Sequence, residues 1–584
     1  MNRRRPPFRL ALPAALLALG ACSGDPADPE LPAELTFSDV AVELGRERTG
    51  LVEIRNTGGV AVGPVVLQAG PVLDVGGASV PGTVLRTDPA EIPTLNPGDG
   101  ATVSLQMVVG STLNPGRYDV SLEASGGPGV KAVVGVGFEV EASEGAEGLQ
   151  ILVDDMSVRT GDVVALPVEV RAGDGRVLEG ATVAWRLDPA GAGFVTGDGR
   201  FVGYAAGAAT LVATSGAFAD TVVLDVRARA LSGSFSRVGT GVETVRYTSD
   251  LWLHGDYAYV GSWSVRPGPQ GPMPGNQLAA WRISDPASPT KVGTVTVDAR
   301  TVNDVKVRAD GALGLITHEG SADGLNGVSL LDLGTPSRPT VIGRYTENLN
   351  SGVHNAWLDG DYAYLVVDGP GSGLRILDVS DPSSPVAVAF FYAGTSFLHD
   401  VYVRDGLAFL SHWNAGLVIL DVGHGVAGGS PTHPVEVARL EDLGGQTHNA
   451  WYWPEAGYVF VGEEDFGSPG FMHVVDVRDL RRPREVATFR VPGQTPHNFW
   501  LDETTGVLYL AWYAQGLRAL DVTGELLGEL DRQGREIAST HYNDTSVGCD
   551  RPSTVTCTWA PQLHRGLVWV SDMNQGLVAL RPPA

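Results

Sequence analysis

The 584-residue chain is too long for a single compact core, and its 76 glycines and 38 prolines indicate several domains built from short strands and turns. Long helical patterns are absent from the sequence, so we predict an all-β fold. The formal net charge of −26 makes the surface repel phosphate groups, and we therefore expect no nucleic-acid partner.

The first residues have the pattern of an export signal. The basic stretch MNRRRPPFR precedes the apolar run LALPAALLALGA, which is too short to span a bilayer as a mature helix and ends just before Cys22. Small residues before such a cysteine resemble a bacterial lipoprotein signal. The resemblance implies that residues 1–21 are removed and that Cys22 is lipidated. An ordinary signal peptide that has a cysteine there by chance is the alternative.

The same resemblance predicts where the protein resides. We expect it outside the cytoplasm, attached to a bacterial membrane through its N-terminal lipid. Ser23 follows the cysteine, and by the resemblance a residue other than aspartate here favours the outer membrane or the cell surface. Residues 22–34 are polar and proline-rich, which is typical of a tether.

Two segments of alternating apolar and polar residues come next. Residues 35–143 include GLVEIRNTG, ATVSLQMVVG and GRYDVSLEASG, and they resemble an Ig-like module of the cell-surface adhesion type. Residues 147–229 carry Trp185 and then GDGRFVGYAAGAATLVAT, and they resemble a group-2 bacterial Ig-like domain. These resemblances imply two β-sandwiches that act as spacers or as a stalk.

Residues 231–584 repeat one pattern: an apolar strand that ends in aspartate, a proline turn and a second strand. Clear copies are LRILDVSDPSSPVAVAFF (374–391) and VSLLDLGTPSRPTVIGRY (328–345), and GLRALDVTGELLGEL (516–530) is a weaker one. We expect the aspartates to form turns rather than to catalyse a reaction. They recur 43 to 55 residues apart, at Asp332, Asp378, Asp421, Asp476 and Asp521.

Another hairpin precedes each of these, so one unit has four strands. Seven openings, from TSDLWL and VHNAWL to TWAPQL, predict a seven-bladed β-propeller over residues 231–584. We expect the protein to be a monomer. The last unit lacks its outermost strand, and we expect residues 235–240 to supply it by pairing with residues 576–581. The strands LRILD and LVILD resemble the LVIVD repeat, a family of bacterial and archaeal surface or secreted proteins taken to be propellers, for which the resemblance implies no settled activity.

The openings repeat histidine, an acid or amide, and an aromatic residue, as in VHNAWL and THNAWY. One interpretation is a structural joint, in which these polar groups bond to a neighbouring blade and Trp252, Trp357, Trp451 and Trp500 pack between blades. The other is a ligand site at the mouth of the central channel. The candidate residues are His354, His399, His448, His497, Asp304, Asp400, Asn355, Asn449 and Asn498.

The ligand interpretation gains support from the loops between the second and third strands. These loops carry His318, His412, Glu463, Glu464 and Asp465, and imidazoles with carboxylates suit zinc, copper or iron. However, no pair has a short metal-binding spacing such as HExxH. We therefore expect no cofactor, with a transition metal bound by the four histidines as the alternative.

Aromatic residues also fall in the loops. They could form a face that binds sugars or peptides, or could serve only to pack the blades. They are Trp263, Trp413, Tyr452, Trp453, Trp512 and Tyr513.

The two remaining cysteines are Cys549 and Cys557, the first and last residues of the nine-residue stretch CDRPSTVTC. An exported protein meets an oxidising environment, so we predict a disulfide between them, with two unpaired thiols as the alternative.

The sequence as a whole favours a membrane-anchored binding or scaffold protein that presents a propeller on an Ig-like stalk. We expect a protein or glycan ligand on the propeller face and no enzymatic activity. The alternative is a metal-dependent enzyme with a histidine and carboxylate site at the channel mouth.

Overall fold

The architecture comes from a computed structural model of the chain. It describes residues 33–583 except residues 40, 45–47, 75–78, 81–82, 110–115, 128, 141–145, 270, 370–372, 395–396, 442, 467–469 and 541–556. The fold is all-β, as predicted: the described residues form strands, turns and two short 3-10 helices. None of their helices is long and apolar enough to cross a membrane. The signal segment, Cys22 and most of the tether lie outside the described residues.

The chain forms two compact units, of which the second begins near Glu139. The first unit has two antiparallel-rich sheets whose strands alternate buried and exposed residues, as in Thr49–Asn56. One sheet has the order Leu35–Phe37, Thr49–Asn56, Gly100–Val109, Thr83–Asp88. The other has the order Ala41–Glu43, Lys131–Val140, Gly116–Ser125, Val65–Ala69, Glu91–Ile92, with Leu73–Asp74 also paired to Gly116–Ser125.

The second unit begins with three small sheets around Trp185, Phe201 and Leu211, which are buried together. A four-stranded sheet has the order Met156–Arg159, Phe218–Arg227, Gly207–Ser215, Ala184–Asp188. The others are Val163–Ala165, Arg200–Gly203, Gly193–Val195, and the pair Gly148–Ile151 with Val168–Arg171. A 3-10 helix spans Ala190–Ala192.

The rest of the second unit contains seven sheets, which we name R1 to R7 in order of their first strands. R1 is Tyr247–His254, Tyr257–Trp263, Gln277–Arg282, Thr290–Thr296; R2 is Val305–Val307, Leu313–His318, Gly327–Asp332, Thr340–Tyr345; R3 is Val353–Asp359, Tyr362–Val367, Leu374–Asp378, Val386–Phe391; R4 is Leu398–Arg404, Leu407–His412, Gly416–Asp421, Val435–Leu440. R5 is Thr447–Trp453, Tyr458–Glu463, Phe471–Asp476, Arg484–Arg490, Gly528–Glu529; R6 is Phe499–Asp502, Val507–Ala511, Leu517–Asp521, Glu536–Ser539; R7 is Thr558–His564, Leu567–Asp572, Gly576–Arg581, Ser236–Val242. Val265–Arg266 and Met273–Pro274 make a separate small hairpin, and a 3-10 helix spans Leu530–Arg532.

The seven sheets form a closed series. The first strands of successive sheets contact each other from R1 to R7, and the first strand of R1 also contacts that of R7. Ser236–Val242 pairs antiparallel with Gly576–Arg581, from Ser236 opposite Arg581 to Val242 opposite Gly576. The predicted pairing of the strand that precedes R1 with the last strand of the chain is therefore confirmed. Inner and middle strands are buried on both faces, as in Leu407–His412, because neighbouring sheets cover them.

The strand-ending aspartates form turns, as predicted. Asp332 accepts a hydrogen bond from the backbone N–H of Gly334 at 2.7 Å, and Asp378 accepts one from Ser380 at 2.9 Å. Asp421 accepts three, from Gly423, Gly425 and Ala427. Burial alone would raise the pKa of the Asp421 carboxyl, but the backbone N–H groups outweigh it and hold that pKa well below its ordinary value.

One predicted hairpin was wrong. We read residues 516–530 as a copy of the strand–turn–strand pattern, but Leu517–Asp521 pairs with Glu536–Ser539 instead. Gly528–Glu529 joins the edge of R5 in parallel to Arg484–Arg490. This segment lacks the proline that reverses the chain in the clear copies, so the chain travels further before it turns back.

Candidate functional site

Six of the seven openings carry an acid or amide, and these residues lie towards the centre of the closed series. Asp250, Asn355, Asp400, Asn449 and Asn498 line one cavity of about 60 Å³, and the equivalent residue in R2 is the buried Asp304. We call these six residues the polar layer. A cavity of this size holds a few water molecules.

Side chains two positions further along line the same cavity. Trp252, Trp357, Tyr402, Trp451 and Trp500 form a closed ring whose neighbouring centroids lie 4.6 to 6.2 Å apart. The four tryptophans thus contact the equivalent residues of other sheets. They also line the cavity, which the sequence did not predict.

Lys306 takes the aromatic position in R2. Its ammonium lies 5.4 Å from the centroid of Trp252 and 5.7 Å from that of Trp357, and it pairs with Asp304 and with Asp250, the latter at 3.5 Å. Burial is the main cause that raises the pKa of the Asp250 carboxyl to about 8 and that of Asp400 to about 7. The cavity therefore concentrates protonatable groups between aromatic walls.

The four histidines that precede polar-layer residues in R3 to R6 form a second ring together with Trp559 of R7 and Trp263, which ends the second strand of R1. We call it the mouth ring, and its neighbouring centroids lie 4.2 to 6.0 Å apart. The structure thus brings all four predicted histidines into one arc that two tryptophans close. The members in order are Trp263, His354, His399, His448, His497 and Trp559.

Most of these openings join neighbouring sheets through hydrogen bonds. Asn303 Nδ2 donates to the carbonyl of His354 at 3.0 Å, and Asn355 Nδ2 donates to that of His399 at 3.1 Å. His399 Nδ1 donates to the carbonyl of His448 at 3.1 Å, and His497 Nδ1 donates to that of Trp559 at 2.7 Å. This geometry agrees with the joint interpretation.

His448 departs from that pattern. Its Nδ1 is buried and has no hydrogen-bond partner among the described residues, while its Nε2 lies 3.8 Å from Oε2 of Glu464. The joint interpretation therefore does not explain why a histidine occupies this position.

The side chains around His448 also support the ligand interpretation. His399, His448 and Glu464 each offer one ligand atom, and these atoms lie within 4.8 Å of one another. Burial, with the neighbouring imidazoles, lowers the pKa of His399 and of His448 well below 6.5, so both rings are neutral at neutral pH. Burial raises the pKa of the Glu464 carboxyl to about 7, and Glu464 Oε1 accepts a hydrogen bond from the hydroxyl of Tyr513.

A second cluster lies on the other side of His399. Glu319, His354 and Asp368 also have ligand atoms within 4.8 Å of one another, and His354 Nδ1 lies 2.9 Å from Glu319 Oε1. Burial alone would lower the pKa of His354, but Glu319 and the other nearby carboxylates raise it to about 9. This histidine is therefore a cation in an ion pair at neutral pH.

The other predicted loop residues are placed apart from these clusters. Glu463 pairs with His473 at 3.2 Å, His318 and His412 are buried at the ends of their strands, and the backbone N–H of Asp465 donates to Thr495. Trp512, Tyr513 and Tyr452 are buried, which favours packing for those three. Trp263, in the mouth ring, and Trp413, stacked on His399, are partly exposed, and Trp453 packs against a buried cluster.

Sequence reasoning missed Glu319, Asp368 and Lys306. Glu319, Asp368 and Glu464 share one repeat position, the residue immediately after the second strand of R2, R3 and R5. When the seven units are aligned, the three acids fall at one position. This alignment is the sequence signal that could have identified Glu319 and Asp368. The disulfide prediction concerns Cys557, which is disulfide-bonded, and Cys549, which lies outside the described residues.

Comparison with protein families agrees with this repeat structure. The family model for the LVIVD repeat matches residues 245–265, 352–391 and 398–442, which correspond to the first hairpin of R1 and to R3 and R4. No curated protein matches the chain. The predicted resemblance to the LVIVD repeat is confirmed, and the chain is a protein that carries this repeat.

Proposed function

We propose that the protein is an extracytoplasmic binding lipoprotein whose seven-bladed β-propeller is held on two Ig-like domains and binds a glycan at its mouth. The closed contact series of R1 to R7 supports the propeller, and the alternation of buried and exposed residues in the two N-terminal sheet groups supports Ig-like sandwiches. The basic and apolar stretches before Cys22 support the lipid anchor.

The observation that carries the binding role is an aromatic rim around a polar mouth. Trp413 stacks on His399 at 4.7 Å, and Phe397 lies 6.1 Å from Trp413. Phe466 is 49% exposed and lies 5.7 Å from Tyr513. Partly exposed aromatic faces beside convergent polar groups are typical of ligand sites, and flat aromatic faces suit the apolar faces of sugar rings.

Binding can be tested with the purified full chain and insoluble glycans, namely peptidoglycan, chitin and cellulose. We expect the wild type to sediment with at least one of them and Trp413→Ala to weaken that binding by at least about tenfold. Phe390→Ala is the matched control, because Phe390 is 50% exposed on the outer strand of R3. Equal loss in the control, or no sedimentation with any glycan, would contradict the glycan role. A protein crosslinked at Trp413 would instead identify a protein ligand.

The anchor has a separate test. Cys22→Ser should move the protein from the membrane fraction to the soluble fraction and abolish incorporation of labelled fatty acid, because the lipid is the proposed attachment. A variant that stays in the membrane fraction, together with an unlabelled wild type, would show that the signal was misread.

Metal-dependent catalysis at the mouth is a second candidate function. The convergence of His399, His448 and Glu464 favours it, since two imidazoles and one carboxylate leave open positions on an ion.

A further inference from the structure

We propose that His399, His448 and Glu464 bind one divalent transition-metal ion at the mouth ring, with Zn²⁺ as the expected ion. The proposal supplies the cofactor that the second candidate function requires, and it stands whether or not the protein is an enzyme. It also differs from the expectation of no cofactor that the sequence alone favoured.

The three groups already lie near the spacing that an ion needs. Two ligands about 2.0 Å from a tetrahedral zinc ion are about 3.3 Å apart. His448 Nε2 and Glu464 Oε2 are 3.8 Å apart, and all three ligand atoms fall within 4.8 Å. Small side-chain rotations would therefore complete the site.

Supporting contacts orient two of the three ligands. His399 gives its Nδ1 proton to the carbonyl of His448, so the lone pair of its Nε2 is available. Glu464 uses Oε1 to accept the Tyr513 hydroxyl and has Oε2 on the side of His448. Metal-binding histidines and carboxylates characteristically have such a partner on the atom that does not bind the metal.

His448 gives the second, independent observation. It is 2% exposed, its Nδ1 has no hydrogen-bond partner within the described part of the chain, and its Nε2 is too far from Glu464 for a hydrogen bond. The Nε2 atom of this buried imidazole therefore faces the Glu464 carboxylate at a distance too long for a hydrogen bond but short enough for both groups to bind one ion. A metal ion between His448 Nε2 and Glu464 Oε2 would bind the lone pair of Nε2.

The second cluster is a poorer site. His354 and Glu319 already satisfy each other at 2.9 Å as an ion pair, and a metal would have to displace the proton on His354. This contrast favours His399, His448 and Glu464 as the metal site. Glu319→Gln is therefore a matched control, because it makes the same substitution as Glu464→Gln in the neighbouring cluster.

The test is metal binding by the full chain after treatment with EDTA. Equilibrium dialysis with Zn²⁺ should give one equivalent bound, and Co²⁺ in its place should give the intense visible absorption of a four-coordinate ion. Glu464→Gln and His448→Gln should each weaken Zn²⁺ binding by at least about 100-fold, and Glu319→Gln should leave it unchanged. Circular dichroism of each variant confirms that it is folded.

Each other outcome overturns the proposal. A wild type that binds no Zn²⁺ at micromolar concentration, or a Glu464→Gln variant that binds it as well as the wild type, shows that this set is not a site. Loss of the ion in Glu319→Gln but not in Glu464→Gln would place it in the second cluster. Should His448→Gln fail to fold, Glu464→Gln decides alone. None of these results depends on glycan binding, so failure of the metal site and failure of the proposed binding function are distinguishable.

Discussion

At the scale of single residues, the protonation of a buried histidine depends on whether a carboxylate lies within hydrogen-bond distance of it. Burial and the neighbouring imidazoles keep His399 and His448 neutral, although Glu464 lies 3.8 Å from His448 Nε2. His473 is 3% exposed but lies 3.2 Å from Glu463 and 3.5 Å from Glu485. Burial alone would lower the pKa of His473, yet these two carboxylates raise it to about 10.

This shift predicts a pH-dependent contribution of His473 to stability. Because the folded-state pKa of about 10 exceeds the ordinary value of 6.5, the stabilisation is complete below pH 6.5 and is lost as the pH rises to 10. We expect His473→Gln to lower the free energy of unfolding by on the order of 4 kcal/mol at pH 6.5 and by much less at pH 10. Urea unfolding of the wild type and the variant at both pH values measures this. A cost that is the same at pH 6.5 and pH 10 would show that His473 is not charged in the folded protein.

At the scale of elements, one strand closes the series of sheets. Ser236–Val242 comes before R1 in the chain but forms the outer strand of R7, paired with Gly576–Arg581. Its neighbours are close: a Cβ atom at Gly241 would lie 2.7 Å from the ring of Trp281 in R1. The strand therefore links the first and last sheets.

Replacing residues 236–242 with glycine and serine should weaken this closure while preserving chain length. We expect the free energy of unfolding to fall by more than about 3 kcal/mol, because several backbone hydrogen bonds of roughly 1 kcal/mol each are lost and two sheet edges become exposed. The same replacement of the loop residues 321–325 is the control and should have a small effect. Equal urea midpoints for the wild type and the 236–242 variant would rule out a role of the strand in closure.

At the scale of the whole molecule, the domain that precedes R1 to R7 within the second unit is tightly docked on R5 and R6. Arg229 is 6% exposed and pairs with Asp521 at 2.7 Å and with Asp162 at 2.9 Å. Tyr204 accepts a hydrogen bond from the backbone N–H of Glu529 at 2.9 Å, and Arg535 donates to the carbonyl of Gly161. These contacts join the sheets of residues 148–227 to R5 and R6.

Arg229→Ala should undock this domain. Removing one partner of a buried charge network costs about 3–5 kcal/mol, so we expect calorimetry of the full chain to show an added, lower-temperature transition. Arg227→Ala is the matched control, since Arg227 is 70% exposed and its pair with Asp225 should contribute less than about 1 kcal/mol. Identical melting profiles for the two variants would mean that Arg229 does not hold the domains together.

Sequence patterns were enough to predict the strands of the repeat, the turn aspartates and the pairing of residues 235–240 with residues 576–581. These features follow from local alternation and from a repeat that recurs in register, and both can be read from one strand at a time. The weak copy at 516–530 shows the limit, since without its proline the position of the return strand was not encoded locally.

The sequence could not predict which polar groups meet at the mouth. Glu464 lies near His448 and not near His473, and Lys306 lies between Trp252 and Trp357. Such contacts depend on how adjacent sheets are rotated about their common centre and on the direction of each side chain, and residues on different strands carry no local signal for either. The choice between a neutral and a charged histidine follows from those same contacts. Carboxylates 2.9 Å from His354 and 3.2 Å from His473 outweigh the cost of burial, whereas Glu464 at 3.8 Å from His448 does not.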